Sequence, residues 1–445
     1  MKKSQWTHLT AFIKKLVTVG ILLCFCACGK EIVQEDENVQ SFQMMRDTMQ
    51  QVSPFATSEQ MEVVDRVYET VLKDYCSSED KDAYDTYQLF EKLAASLGEG
   101  HAGVFAPEEV LQAMGQLPVR VTYLDGNYYI SDAVSSYSQL LYRKVIAIDG
   151  VPVSQYLEEE IQPLISMTTP NARQQKAADR LMVAPIGKKI AFELEDSGGS
   201  RNSYELTYDD AAQAMQYDGL STLLSKNLSK TQVQYSSSNF VYTKLDGVPY
   251  LAIFSFQDPN LYTEFTQNIL PLIRQEKQLV LDVRSNNGGN GETAKEILFL
   301  LTGDETQHYP FLDAKVDLSE LEEQSSADKG NQQSELEPCS LSKIVLLTSH
   351  TAYSAADDFV FYAKQSPSVT TIGTNTGGAT GMVQYFELPN GMTFCCSVIR
   401  DYDQAHADIT GNGIAPDKLV WQKIEDAKNG QDTALSKALD FLQEK

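Results

Sequence analysis

The sequence predicts a multidomain chain of mixed class, α+β in its first half and α/β in its second. Three observations predict it. Apolar residues recur at helical spacing up to Gly115, the period drops to two from Leu117, and from Tyr250 short apolar strands alternate with helical stretches. Length agrees, because 445 residues at roughly 150 per domain make two or three domains. A hydrophobic fraction of 42% supplies apolar material for several cores. The formal net charge of -25 excludes nucleic acid as a partner, since phosphate recognition needs clustered Lys and Arg.

Residues 1–27 read as a signal peptide. Lys2, Lys3, Lys14 and Lys15 precede the apolar run Leu16 to Ala27, which is too short to span a bilayer comfortably. The run ends in Phe25-Cys26-Ala27-Cys28-Gly29, which resembles a bacterial lipoprotein cleavage box with Cys28 as the lipidated residue; an uncleaved N-terminal anchor is the alternative. Either reading puts the body outside the cytoplasm, held at the cell membrane. Residues 28–42 are acidic and polar and read as a tether. Cys76, Cys339, Cys395 and Cys396 remain in the body, and no Cys/His spacing suggests a metal site.

Residues 43–115 form the predicted helical domain, with Met61, Val64, Val67, Tyr68 and Val71 along one face. It closes on a glycine-flanked turn, Gly98-Glu99-Gly100-His101. A β-rich module follows at 116–215: Val119, Val121 and Tyr123 alternate, Asp125-Gly126 is a hairpin turn, and Lys144 to Ile148 leads into a second such turn at Asp149-Gly150. Ala191 to Ser238 shows little pattern. The α/β domain is placed at 235–430, with strands at Leu279–Val283, Ile344–Thr348 and Val369–Gly373, and an acidic surface insertion at Asp313–Pro338.

Chemistry is suggested where two of these strands end. Leu279 to Val283 runs into Arg284-Ser285-Asn286-Asn287-Gly288-Gly289, a turn whose glycines permit positive φ and close approach of backbone N–H groups to an anion. It lacks the Gly-Lys-Ser/Thr ending of a phosphate loop. Ile344 to Thr348 leads through a polar loop to Ser354, just before a helix whose N-terminal N–H groups and dipole favour an oxyanion. Taken alone, Ser354 reads as a helix cap in preference to a nucleophile.

Asp282-x-Arg284-x-Asn286-x-Gly288-Gly289, the serine segment Thr351-Ala352-Tyr353-Ser354-Ala355-Ala356-Asp357, the stretch Gly373 to Gly381, Leu388-Pro389-Asn390-Gly391 and Gly413-Ile414-Ala415-Pro416-Asp417 stand in the order seen in the tail-specific, or C-terminal processing, serine peptidases of family S41, which this chain resembles. The resemblance implies a PDZ-like fold for the β-rich module and a ClpP/crotonase-like fold for the α/β domain. It further implies a polypeptide substrate, no cofactor, Ser354 as nucleophile, and the N–H groups of Gly288 and Ala355 as oxyanion hole. Many members use a Ser-Lys dyad with the lysine in a Gly-Lys-Gly setting, but here that place reads Gly378-Ala379-Thr380-Gly381. The resemblance is therefore nearer the tricorn-core-like branch that uses histidine, which implies His101 as general base with His350 as rival, acting near a pKa of about 6.5. Glu99, Asp403 and Asp408 are all candidates to orient it. The alternative function is a peptide-binding lipoprotein that kept the fold and lost catalysis.

Overall fold

The computed structural model describes residues 36–80, 82–210, 216–317, 336–339 and 341–444. The signal peptide, Cys28, the start of the tether and most of the acidic insertion lie outside the described residues. No helix among the described residues is long and apolar enough to cross a membrane.

The tether ends earlier than its composition suggests. Asp36 accepts the N–H groups of Asn38 and Val39 and so caps helix α1 (Glu37–Val52), which makes residues 37–42 helical. Helices α2 (Ser58–Ser77) and α3 (Ala83–Ala95) follow. Their buried faces, including Phe42, Met45, Val64, Phe90 and Leu93, share one core with Leu388, Phe394 and Cys396 from the far end of the chain. After α3 the chain turns through Gly98 to His101 into the short strand β1 (Gly103–Val104).

A second core lies under the strands β2 (Val119–Leu124), β3 (Asn127–Ala133) and β4 (Lys144–Ile148), with helix α4 (Pro170–Leu181) against them. Asp125-Gly126 and Asp149-Gly150 both have positive φ at each position, as tight hairpins of this kind require. The stretch that looked patternless from Ala191 holds most of β5 (Lys189–Glu195) and all of β6 (Arg201–Thr207), paired antiparallel. Only Leu206 is buried along β6, because it is the edge strand of its sheet. A polar edge strand carries no alternation for a sequence reading to find.

The third unit is a sheet with the order Tyr235–Ser236, β7 (Phe240–Leu245), β8 (Val248–Ile253), β9 (Gln278–Asp282), β11 (Lys343–Thr348), β12 (Val369–Gly373), β16 (Lys418–Leu419). From β8 to β16 the pairings are parallel. Helices α5 (Gly291–Thr302) and α6 (Ala355–Ala363) cover one face and α7 (Thr433–Gln443) the other, which explains the continuous apolar character of β9 and β11. Strand β10 (Phe311–Ala314) pairs with β15 (Ile399–Tyr402). The hairpin of β13 (Val383–Glu387) and β14 (Thr393–Ser397) receives β1 on its open edge, in the register Gly103↔Cys395 and Val104↔Phe394. That register brings the turn before β1 beside the end of β14.

Candidate active site

Ser354 occupies the N-cap position of α6 with φ 58° and ψ -127°, and its side chain caps nothing. A non-glycine residue at positive φ costs about 1–3 kcal/mol and persists only where its surroundings enforce it. Here the glycine turn does so. A Cβ on Gly288 would stand 2.6 Å from Ser354 Cβ and 2.9 Å from the Ala355 nitrogen, so only glycine lets that turn lie against the serine. The Tyr353 N–H donates to the Asn286 carbonyl at 3.1 Å, tying the two segments together.

The charged part of the glycine-turn motif is structural. Arg284 lies between Asp282 and Asp432, with its NH2 group 2.7 Å from each. Tyr250 donates its hydroxyl to Asp282 at 2.8 Å. The Arg284 carbonyl accepts the hydroxyls of Ser349 and Thr351. The end of β9 is thereby fastened to the loop that carries the serine.

Ser354, Ala355, Gly289 and His101 line one cavity of about 1130 Å³. His101 Nδ1 is 3.1 Å from the Ser397 hydroxyl, and that hydroxyl donates to Glu99 Oε2 at 2.8 Å. Glu99 is fully buried and also accepts the backbone N–H groups of His101 (2.8 Å) and Ser397 (3.0 Å). A hydroxyl has one proton. With Glu99 ionised, Ser397 gives its proton to Glu99 and His101 donates from Nδ1, which leaves the Nε2 lone pair free. Burial raises the carboxyl pKa of Glu99, and its hydrogen bonds oppose that. Burial lowers His101 to about 4 rather than leaving it near 6.5, because no charged group touches the ring.

His350 does not line this cavity. It is buried elsewhere, with Nδ1 3.1 Å from Thr374 Oγ1 and its ring 5.5 Å from that of Trp421. Asp403 accepts the N–H groups of Ala405 and Ala407, and Asp408 pairs with Arg400 at 2.6 Å, so neither reaches His101. Ala379, where the other branch would need lysine, is fully buried, and a Cβ on Gly100 would come within 2.9 Å of its own. Lys364 pairs with Asp417.

The two expected oxyanion donors differ. The Ala355 N–H has no acceptor among the described residues. The Gly288 N–H is directed at Asn286 Oδ1, 2.8 Å away, rather than at the cavity. Asn286 is fully buried and donates its amide to the Ile253 carbonyl at 3.2 Å, so the acceptor that holds Gly288 is itself held. Two cavity-related residues escaped the sequence reading. Ser397 lies 296 positions from His101 and has no local signature. Asp358 was readable in principle, standing in the first turn of the helix that follows Ser354.

Residues 247–420 match the model described as Peptidase family S41. A carboxyl-terminal-processing protease of Picosynechococcus sp. is 30% identical over 213 residues, covering 46% of this chain and 48% of that protein. The chain thus matches about half the length of this curated relative. Mature CPAF superposes with a TM-score of 0.68 at 15% identity, covering 91% of this chain and 96% of that one. Mature CPAF complexed with lactacystin gives 0.66 at 16% identity, over 91% and 97%. At such identity the likeness is one of fold, and it extends well beyond the matched domain. Residues 247–420 of this chain are thus a peptidase family S41 domain.

Proposed function

We propose that this protein is a serine-type endopeptidase of the tail-specific kind, with Ser354 as nucleophile and His101 as general base. The observation that carries this reading is the chain Glu99, Ser397, His101, which supports an imidazole protonated at Nδ1, on a histidine that lines the same cavity as Ser354. In the first step the Ser354 oxygen bonds to the scissile carbonyl carbon, its proton passes to His101 Nε2, and the carbonyl oxygen becomes an oxyanion near the Ala355 N–H. The carbon–nitrogen bond then breaks and the leaving amine takes that proton from His101. Water hydrolyses the ester by the same route, returning the proton to Ser354. Glu99 and Ser397 orient the ring without entering the reaction.

The β-rich module at 116–215 would present a polypeptide end by strand addition. Thr169 supports its coupling to the site, donating its hydroxyl to the Gly377 carbonyl at 3.1 Å, while the next N–H, that of Gly378, bonds Asp357 of α6 at 2.8 Å. The leader and Cys28 support a body held outside the cytoplasm on a lipid anchor, a reading tested by labelled-lipid incorporation lost in Cys28→Ser.

One observation favours the second reading, a peptide-binding lipoprotein without catalysis: the Gly288 N–H is held by Asn286. Mass spectrometry after exposure to a fluorophosphonate separates the two. The peptidase labels at Ser354 and loses labelling in His101→Ala but not in His350→Ala. Absence of label in folded wild type, with peptide binding intact, supports the binding protein.

A further inference from the structure

We infer that the cavity beside Ser354 selects substrates bearing a lysine or arginine side chain next to the bond attacked, with Asp358 as the residue that receives it. This deepens the peptidase reading and rests on it. Ser354 is the N-cap of α6 and Asp358 stands in its first turn, where the Asp358 N–H donates to the Ser354 carbonyl at 3.2 Å. Both line the cavity. A side chain flanking a carbonyl held at Ser354 therefore enters a cavity that Asp358 also lines.

The two oxygens of Asp358 are not equivalent. Oδ1 accepts the Tyr309 hydroxyl at 2.6 Å. Oδ2 accepts nothing among the described residues, and the position beside it belongs to Gly291, where even a Cβ would stand 3.5 Å away. Gly291 also lines the cavity, so the missing side chain leaves Oδ2 open to it. Around this oxygen the wall carries Glu292, Glu296 and Asp401 but no lysine or arginine. The ring of Tyr309 stands in the same wall, and aromatic rings attract a cation; Tyr362 already has one, the Lys295 ammonium 5.4 Å from its ring centroid. Burial, with the charges of Asp401, Asp357 and Glu292 added, pushes Asp358 up to about 8, as expected of a carboxyl that lacks a counter-cation. An arriving ammonium or guanidinium would supply that counter-charge through a charge-assisted hydrogen bond.

The test is binding to the Ser354→Ala variant, read by fluorescence anisotropy with two labelled peptides. Both are alanine-rich and identical except that one carries a single arginine and the other citrulline, its neutral isostere. The arginine peptide should bind roughly tenfold or more tightly, and the added change Asp358→Asn, which keeps an acceptor for Tyr309, should bring the ratio to about one. Asp401→Asn should reduce the ratio in part, which provides a second variant if the first unfolds. Equal dissociation constants for the two peptides in Ser354→Ala overturn the inference, and so does a ratio that survives Asp358→Asn in a folded protein. Failure of the arginine peptide to bind by about 1 mM, the weak end of specific recognition, also overturns it. The outcomes separate the two ideas. Arginine preference in Ser354→Ala together with an unlabelled, inactive wild type removes the peptidase and keeps the cation site; equal cleavage of both peptides by wild type does the reverse.

Discussion

Replacing Ser397 with alanine removes one oxygen and two hydrogen bonds, the 3.1 Å contact with His101 Nδ1 and the 2.8 Å bond to Glu99. Glu99 keeps the backbone N–H groups of His101 and Ser397, so the loss falls on the imidazole. A buried N–H left without an acceptor costs about 1–3 kcal/mol. With tenfold in rate for each 1.36 kcal/mol, kcat should fall by about 5- to 150-fold. The ring would also be free to carry its proton on Nε2, a tautomer that cannot accept one from serine. Ser397 does not line the cavity, so KM should stay close to that of wild type. The assay is steady-state hydrolysis of a fluorogenic peptide by wild type, Ser397→Ala and Ser397→Thr, with melting curves for each. Threonine retains the hydroxyl and should recover most of the lost kcat. Wild-type kcat in Ser397→Ala, or a folded threonine variant no better than alanine, would refute the orienting role.

The remaining predictions concern pH and packing. The acid limb of kcat/KM should lie near 4 rather than at the ordinary histidine value, because activity needs neutral His101 and burial lowers its pKa to about 4. Stability should follow the same groups: His101 and His350 stay neutral in the fold but protonate below about 6.5 when unfolded, so the stability they leave intact above that pH is lost progressively as pH falls toward 4. Denaturant titrations across that window should show the slope, and His350→Gln should reduce it while leaving Ser354 labelling intact. Gly288→Ala forces a Cβ to 2.6 Å from Ser354 Cβ at a φ of 95°, so fluorophosphonate labelling should disappear and the melting temperature should fall. Arg284→Met leaves Asp282 and Asp432 buried without their cation, and chemical denaturation should register a loss of roughly 3–5 kcal/mol.

The parts of the site legible in the sequence are those in which a few adjacent residues determine both conformation and chemistry. The strand, polar loop, serine and helix around Ser354 form one such unit, and the strand at Val369–Gly373 appears in the structure with the bounds its composition indicates. The turn at Gly98 to His101 was likewise readable, because flanking glycines free a histidine from regular structure. Ser397 was not. It sits in an apolar strand, Thr393–Ser397, with nothing local to distinguish it from packing, and its meaning comes only from the β1 to β14 register. The polar edge strand β6 was hidden for the opposite reason, since it buries almost nothing. His101's depressed pKa was also beyond reach, because burial depends on the whole fold rather than on neighbours in the chain.

The register that sets Gly103 against Cys395 has a consequence for biosynthesis. His101 is made early, Ser354 late, and Ser397, 296 positions after His101, later still. A ribosome-bound or truncated chain ending before β14 has a serine and a histidine but no strand to bring them together. Such long-range pairing is slow to form. A partial product therefore lacks the Ser397 contact of His101, and any cut between β1 and β14 puts those two residues on separate fragments.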